Sequence, residues 1–136
     1  MKKALQKVLK DKKGFTLAEL LIVVAIIAIL VAVSIPIFTS QLNNSKAKTD
    51  EANERAAKAA AVAAFFDLPE TPTADVVYNY DAEAGKVYIN SDKEATAIES
   101  YGKTNGHSGC IVQITISKDG TVAEPKWVTG KASSSN

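Results

Sequence analysis

A long apolar run near the start of the chain is its clearest hydrophobic pattern. From Leu20 to Phe38 there are 19 residues without a charged side chain. As an α-helix such a run is about 28 Å long, which matches the hydrocarbon core of a bilayer. We therefore predict a hydrophobic transmembrane helix over residues 15–38. No second run of this kind follows, so we expect the chain to cross a membrane once.

The next segment, residues 39–66, has the composition of a helix. It is rich in alanine, carries charges of both signs and contains no glycine or proline, which favours helix formation. Asp67-Leu68-Pro69 predicts its end. Small and apolar residues recur mostly every three or four positions and predict one narrow face that another element can approach closely: Leu42, Thr49, Ala52, Ala56, Ala59, Ala63 and Phe66.

Beyond Pro69 the hydrophobic pattern changes to alternation, which is typical of β-strands. Residues 76–80 and 86–90 flank a segment that ends in Gly85 and predict a hairpin. Two further strands are predicted over residues 110–117 and 121–128, and Pro125 places the last one at an edge of the sheet. Residues 91–109, which are polar, predict a long loop with or without a short helix.

These elements predict an α+β fold in which a long N-terminal helix packs on a small antiparallel sheet of about four strands. Such a sheet buries little core by itself, so the alanine-rich half of the helix is its expected partner. We divide the chain into five parts: a basic leader (1–14), the transmembrane helix (15–38), an amphipathic alanine-rich helix (39–66), a small antiparallel β domain (67–130) and a disordered tail (131–136).

Charge is distributed very unevenly along the chain. The formal net charge of all 136 residues is +1. Residues 1–14 alone carry +5, because six lysines face only Asp11, and the remaining residues carry −4. Positive residues before an apolar run favour a cytoplasmic N-terminus and an outward-facing C-terminal part.

Glu19 is the most informative single residue, because a carboxylate deep in a bilayer costs about 2.5–3.5 kcal/mol on insertion scales. One interpretation is that it lies near the interface and extends towards water. Another is that a positive group neutralises it. Cleavage after Gly14 would create an α-amino group at Phe15, four residues before Glu19, and a neighbouring subunit could provide the same charge.

An ordinary secretory signal peptide is an alternative interpretation of this region. It would use the basic segment, the apolar run from Leu20 to Val33 and a small-x-small site at Ala32-Val33-Ser34. Pro36 lies two residues beyond that site, the apolar run continues past it, and Glu19 lies within the segment that would enter the membrane. All three features fit this alternative poorly.

The stretch Lys12-Lys13-Gly14-Phe15-Thr16-Leu17-Ala18-Glu19, followed by the apolar run and Pro36, resembles the N-terminus of a type IV prepilin or pseudopilin. The resemblance is strong over residues 1–40 and loose over the rest of the helix. It implies cleavage between Gly14 and Phe15 by a prepilin peptidase and N-methylation of Phe15. Lys12 and Lys13 would hold the leader on the cytoplasmic side.

The same resemblance implies how the subunit assembles. Glu19 would pair with the Phe15 amine of an adjacent subunit, and residues 20–38 would lie first in the bilayer and then along the filament axis. Implied partners are further copies of the chain, minor pilins, the prepilin peptidase and a pilus assembly platform.

The sequence departs from the family at two positions. Ala28 stands where many members have glycine, so any local melting of the helix would depend on Pro36, which disfavours helix at Ile35. Cys110 is the single cysteine, whereas many members close the C-terminal region with a cysteine pair. Packing or neighbouring subunits must therefore hold that region.

The sequence gives little support for metal binding, catalysis or nucleic-acid binding. His107 and Cys110 form an isolated H-x-x-C, short of the ligands that a metal needs, and Cys110 is expected to be a small buried residue. One histidine and no glycine-rich phosphate loop argue against an enzyme or a cofactor. Lysines are scattered over residues 15–136, so we expect no contact with nucleic acid.

The resemblance implies a structural subunit of an extracellular type IV pilus-type filament, with a role in adhesion, motility or aggregation. We expect it in the cell membrane before assembly and at the cell surface afterwards. The alternatives are a pseudopilin of a type II secretion or DNA-uptake apparatus, a secreted monomeric domain, and a membrane-tethered ligand-binding domain.

Overall fold

The computed structural model describes residues 14–132. Within them one long helix, α1 (Leu17–Phe66), precedes four strands: β1 (Val76–Asp81), β2 (Lys86–Ile89), β3 (Cys110–Ile116) and β4 (Lys126–Thr129). A short 3-10 helix, Glu94–Ala97, lies between β2 and β3. The leader charges Lys12 and Lys13 and the tail residues 133–136 lie outside the described residues.

The four strands form one antiparallel sheet in the order β2-β1-β3-β4. The α+β fold predicted from the sequence is therefore confirmed. Gly85 closes the β1–β2 hairpin with a φ of +66°, a conformation that glycine adopts without strain. The Asp81 side chain accepts hydrogen bonds from two backbone amides of this turn, Glu83 at 2.9 Å and Ala84 at 3.1 Å.

The fourth strand is shorter than the predicted 121–128. It begins at Lys126, and of the preceding residues Val122 forms only an isolated bridge with Ile116. Pro125 lacks the backbone N–H that a ladder requires, so regular pairing starts after it. β4 is an edge strand, as Pro125 predicted.

The main core lies between the sheet and the C-terminal part of α1. Ala57 and Ala61 of the helix are fully buried and pack against one face of the sheet, formed by Tyr78, Tyr80, Val112, Ile114 and Ile116. Alanine lets the helix approach the sheet closely. The opposite face of the sheet has a smaller apolar layer, in which Ala95, Ile98 and Ile111 are buried.

The prediction that the narrow face of small residues packs on the sheet was wrong. Ala52, Ala56, Ala59, Ala63 and Phe66 are all exposed. The buried residues of α1 are Asp50, Ala57 and Ala61. From residue type alone, a helix face that contains Asp50 is expected to be exposed. Asp50 is buried because residues distant in sequence donate hydrogen bonds to it.

Candidate functional site

The predicted cleavage site lies immediately before the helix. Gly14, Phe15 and Thr16 are not helical and are exposed, and α1 begins at Leu17. The Phe15 side chain is 77% exposed. A peptidase that acts after Gly14 would therefore meet an accessible bond outside regular secondary structure.

Thr16 and Glu19 cap the start of α1. The Thr16 backbone N–H donates to Glu19 Oε2 at 2.9 Å, and the Glu19 backbone N–H donates to Thr16 Oγ1 at 3.2 Å. This reciprocal pair is a capping box, which satisfies two backbone N–H groups that the first turn leaves without partners. The sequence signature of this box, Thr-x-x-Glu, is present at residues 16–19.

The capping box gives Glu19 a partner within its own chain. Before cleavage the Phe15 nitrogen is part of a neutral peptide bond, so it offers Glu19 no positive charge. After cleavage it would be an ammonium group. The carboxylate thus has a local hydrogen bond in the uncut chain, and it would gain an electrostatic partner at Phe15 only if the chain were cut after Gly14.

The N-terminal part of α1 is an apolar surface that is exposed within the described residues. Within the described residues, α1 alone is long and apolar enough to cross a membrane by length and composition. Its large hydrophobic side chains from Leu17 to Phe38 are all exposed, the least of them, Val31, by 48%. Contiguous apolar surface of this extent indicates contact with lipid or protein.

Pro36 lies inside α1, and the helix continues through it. Two hydroxyl groups near the proline donate to helix carbonyls: Ser34 Oγ to Leu30 O at 2.6 Å and Thr39 Oγ1 to Ile35 O at 3.0 Å. Such bonds from side chains to the preceding turn often bend a helix slightly. Pro36 also has no N–H, so the backbone hydrogen-bond ladder is interrupted here.

Farther along α1, Asp50 holds the loop before β3. Its carboxylate accepts hydrogen bonds from the backbone amides of Lys103 (2.8 Å) and Thr104 (3.0 Å), and it lies 2.9 Å from Nδ1 of His107. We call these four residues the Asp50 clasp. Burial acts to raise the pKa of Asp50, but the hydrogen bonds from Thr104, Lys103 and His107 outweigh it and lower the pKa below its usual value.

Trp127 adds a second connection between α1 and the C-terminal region. Its indole N–H donates to Glu54 Oε1 at 2.7 Å, and its ring stacks on His107 with centroids 4.2 Å apart. Glu54 and Asp50 are four residues apart on the helix and therefore lie on the same side.

Tyr101 connects the same loop to the sheet. Its hydroxyl donates to the Tyr80 carbonyl at 2.8 Å and accepts from the Val112 N–H at 2.9 Å. Burial raises the pKa of Tyr101 well above its usual value, so the phenol keeps the proton that this bond needs.

The end of the described chain is held by backbone pairing. Lys131 N–H donates to the Ile98 carbonyl, and the Lys131 carbonyl accepts from Ser100, both at 2.9 Å. The start of the segment that we expected to be a tail therefore pairs with the loop before β3. Together with the Asp50 clasp, these contacts hold the C-terminal region without a disulfide.

Cys110 begins β3 as a half-buried free thiol. Its Sγ lies 3.8 Å from the Ser108 carbonyl, while His107 is engaged by Asp50. Among residues 14–132 no group of three or more histidine, cysteine or acidic side chains could hold a metal ion. Sequence reasoning had treated His107 as a loop residue and missed its role in the clasp.

Comparison with known proteins identifies a known motif in the same N-terminal region. Residues 9–35 match the model of the prokaryotic N-terminal methylation motif. A fimbrial protein of Pseudomonas aeruginosa is 33% identical over 127 residues, covering 93% of this chain and 74% of the relative. The type IV major fimbrial protein FimA of Dichelobacter nodosus is 36% identical over 128 residues, covering 88% of this chain and 76% of the relative.

A shorter match, 31% identical over 97 residues, links the chain to the type IV major alpha-pilin of Moraxella bovis and covers 71% of this chain and 50% of that protein. No solved structure matches the chain. The names of these relatives are those of pilins and fimbrial proteins. With this likeness over nearly the whole sequence, the methylation motif and the uncovered apolar helix, the chain belongs to the type IV pilin family.

Proposed function

We propose that the chain is the precursor of a filament subunit, cut between Gly14 and Phe15 and N-methylated on Phe15. The uncovered apolar surface of α1 between Leu17 and Phe38 is the observation that carries this proposal. A bilayer covers this surface before assembly, and the same helix of neighbouring subunits covers it in an extracellular type IV pilus-type filament. A prepilin peptidase, an assembly platform and minor pilins are the expected partners.

In this proposal Glu19 changes partner during assembly. In the precursor its carboxylate caps α1 through Thr16. In the filament it pairs with the Phe15 ammonium of an adjacent subunit. An apolar surrounding makes an unpaired carboxylate costly, so only the register that brings the two charges together is stable.

The alanine-rich face of α1 supplies a second packing surface. Ala52, Ala56, Ala59 and Ala63 are exposed at spacings of three and four residues. Small side chains at this spacing allow another helix to approach closely. The face that the sheet leaves free is thus available to neighbouring subunits, while loops on the other side of the sheet are available for adhesion or aggregation.

Two variants of Glu19 separate its capping role from its charge. Glutamine at this position can still complete a capping box, whereas Glu19→Ala removes both the cap and the charge. We expect Glu19→Gln and Glu19→Ala to reach the membrane at normal levels and each to reduce purified filaments by at least about tenfold, because the intersubunit charge pair is lost.

Normal filament yield from Glu19→Gln would show that charge pairing is not required. Thr16→Ser provides the matched control, since serine keeps the capping hydroxyl and leaves the charge of Glu19 intact. This control is expected to assemble normally.

Processing is tested independently by the intact mass of the mature protein. We expect residues 15–136 with a methyl group on the Phe15 nitrogen. A mature chain that starts near Ile35 would contradict the proposal in favour of an ordinary signal peptide. Retention of the uncut chain in the membrane would instead indicate a tethered domain, and processed subunits that never form purifiable filaments would indicate a pseudopilin.

A further inference from the structure

We propose that Asn105 is a site of spontaneous covalent modification, at which the chain forms a cyclic imide that reopens as aspartate or as β-linked isoaspartate. Asn105-Gly106 is the only Asn-Gly step in the sequence. It lies in a turn of the loop before β3, and both residues are exposed. Glycine after asparagine favours this reaction, because no side chain shields its backbone nitrogen.

The reaction needs no reagent other than water. The Gly106 nitrogen attacks Cγ of Asn105, the bond between these atoms forms, and the bond from Cγ to Nδ2 breaks. Nδ2 leaves as ammonia, taking the proton of the Gly106 amide. Water then opens the imide at one of its two carbonyl carbons. Attack at Cγ gives aspartate in a normal backbone, whereas attack at the Asn105 carbonyl carbon routes the backbone through Cγ.

The contacts of this turn leave the reacting groups free. Among the described residues, no hydrogen bond is formed by the Asn105 side chain or by the Gly106 backbone N–H. A Cβ atom built at Gly106 would meet nothing within 4 Å. Open space around the nucleophilic nitrogen therefore allows the Asn105 side chain to approach it.

The Asp119-Gly120 turn has the opposite arrangement. There the glycine N–H donates to the Ser117 carbonyl at 2.8 Å, and the Asp119 carboxylate accepts from the Thr121 N–H at 3.0 Å. The hydrogen bond from Thr121 lowers the pKa of Asp119, and an ionised carboxylate is a poor electrophile. This second step that could form an imide is therefore protected, and its contacts distinguish it from Asn105.

The modification site lies directly between two partners of Asp50. Thr104 precedes Asn105, and its backbone N–H donates to Asp50 Oδ2 at 3.0 Å. His107 follows Gly106, and its Nδ1 lies 2.9 Å from the same oxygen. The turn between them is closed by a hydrogen bond of 3.0 Å from the His107 N–H to the Thr104 carbonyl.

Isoaspartate adds one atom to the backbone inside this closed turn. The distance along the chain between Thr104 and His107 then no longer suits a single carboxylate oxygen, so we expect the Asp50 clasp to open. Modification would thus release the loop before β3 from α1. In the extracellular filament proposed above, the modified fraction would grow with the age of the filament.

The test is incubation of the purified full-length chain in detergent micelles at mildly alkaline pH, followed by tryptic digestion and mass spectrometry. The peptide of residues 104–118 contains Asn105 as its single asparagine, and the peptide of residues 87–93 contains the exposed Asn90 before a serine. We expect exchange of NH for O at Asn105 to be at least about tenfold faster than at Asn90. Methyl transfer by an isoaspartyl methyltransferase measures the β-linked product.

Two variants block the reaction while keeping a neutral turn. In Gly106→Ala a methyl group hinders the attack, and in Asn105→Gln the longer side chain must form a larger ring. Each is expected to slow the modification of the turn by at least about tenfold. If Gly106→Ala does not fold, Asn105→Gln decides the result.

Hydrogen exchange of the Thr104 amide reports the effect on the Asp50 clasp. We expect incubated wild type, once modified, to exchange this amide at least about tenfold faster than fresh wild type. Fresh Asn105→Asp, which has the charge of the product but a normal backbone, should exchange it like fresh wild type. Incubated Asn105→Gln should also keep its protection.

Modification at Asn105 no faster than at Asn90 would overturn the site. Unchanged exchange of the Thr104 amide after modification would overturn its effect on the clasp, as would an equal loss of protection in incubated Asn105→Gln. Because every measurement uses the purified, unassembled chain, none of these outcomes depends on whether the protein forms filaments.

Discussion

A buried carboxylate on α1 holds the loop before β3 through two backbone amides and one imidazole. Asp50 is 2% exposed, and its partners Lys103, Thr104 and His107 lie more than fifty residues away in sequence. No local pattern signals such a contact, because the three donors have ordinary loop composition. This is why sequence reasoning placed His107 in a loop and did not include Asp50 in the core.

The lowered pKa of Asp50 makes the clasp dependent on pH. A carboxylate with a folded-state pKa below its unfolded value stabilises the fold above the unfolded pKa, and this contribution is lost as pH falls through the folded pKa. We expect the free energy of unfolding to decrease as pH is lowered below about 4, more steeply in the wild type than in Asp50→Asn. Chemical unfolding at a series of pH values measures this.

Glu51 and Asp119 also have lowered pKa values and titrate in the same acidic range. The difference between wild type and Asp50→Asn therefore isolates Asp50. At neutral pH this variant should be less stable by about 2 kcal/mol, because hydrogen bonds to a charged group are lost. Parallel pH profiles for the two proteins would contradict the assigned role.

Gly102 lies too close to the backbone of His107 to accept a side chain. A Cβ atom at this position would lie 1.9 Å from the His107 carbonyl oxygen, whereas at Gly106 it would meet nothing within 4 Å. Gly102→Ala must therefore displace the loop that carries His107, and we expect a loss of at least about 2 kcal/mol of stability.

Gly106→Ala is the matched control, expected to stay within about 1 kcal/mol of the wild type. Thermal unfolding of both variants provides the comparison. Equal unfolding midpoints would show that the loop is not held as described.

At the level of elements, α1 has two faces with different tasks. Ala57 is fully buried against the sheet, and its neighbour Ala56 is exposed. The sequence predicted the extent of the helix well, because the apolar run, the alanine-rich segment and Pro69 are strong local signals. It did not predict which face meets the sheet, since alanine occurs on both faces and the distinction depends on Asp50 and Glu54 finding partners.

The two alanines allow the faces to be tested separately. Ala57→Leu inserts three carbon atoms into a closed interface and is expected to destabilise the subunit by about 1–3 kcal/mol. Ala56→Leu should leave the unfolding free energy nearly unchanged and reduce filament yield, because the exposed alanine face is proposed to contact neighbouring subunits.

Measurement of unfolding and of purified filaments for both variants makes the comparison. Normal filament yield from Ala56→Leu would exclude the alanine face from the assembly contacts. An unchanged stability of Ala57→Leu would contradict the packing of α1 on the sheet.

At the level of the whole molecule, the near-neutral net charge is the sum of two segments of opposite charge. The complete chain has a net charge of +1 and an isoelectric point near 7.8, and residues 15–136 carry −4. Overall composition resembles that of a soluble protein, while the order of the residues separates a membrane helix from a polar domain. Fold class and family could therefore be predicted, because both depend on order along the chain. The Asp50 clasp could not, because its residues are far apart in sequence and meet only in the folded chain.

The charge difference gives a prediction for the assembled protein. Removal of residues 1–14 takes away +5, so filament subunits should focus at an acidic pH, well below the isoelectric point of the precursor. Isoelectric focusing of purified filaments beside the full-length chain measures the shift. Subunits that focus with the precursor would mean that the leader is retained.

The surroundings of Trp127 have a practical consequence. It is the only tryptophan in the chain, it stacks on the only histidine, and it donates a hydrogen bond to α1. Indole fluorescence depends on the contacts of the ring, so the emission of the unlabelled protein reports whether the loop and the helix are joined. Trp127 emission therefore gives a direct readout of the contact between α1 and the loop before β3, both in micelles and in membranes.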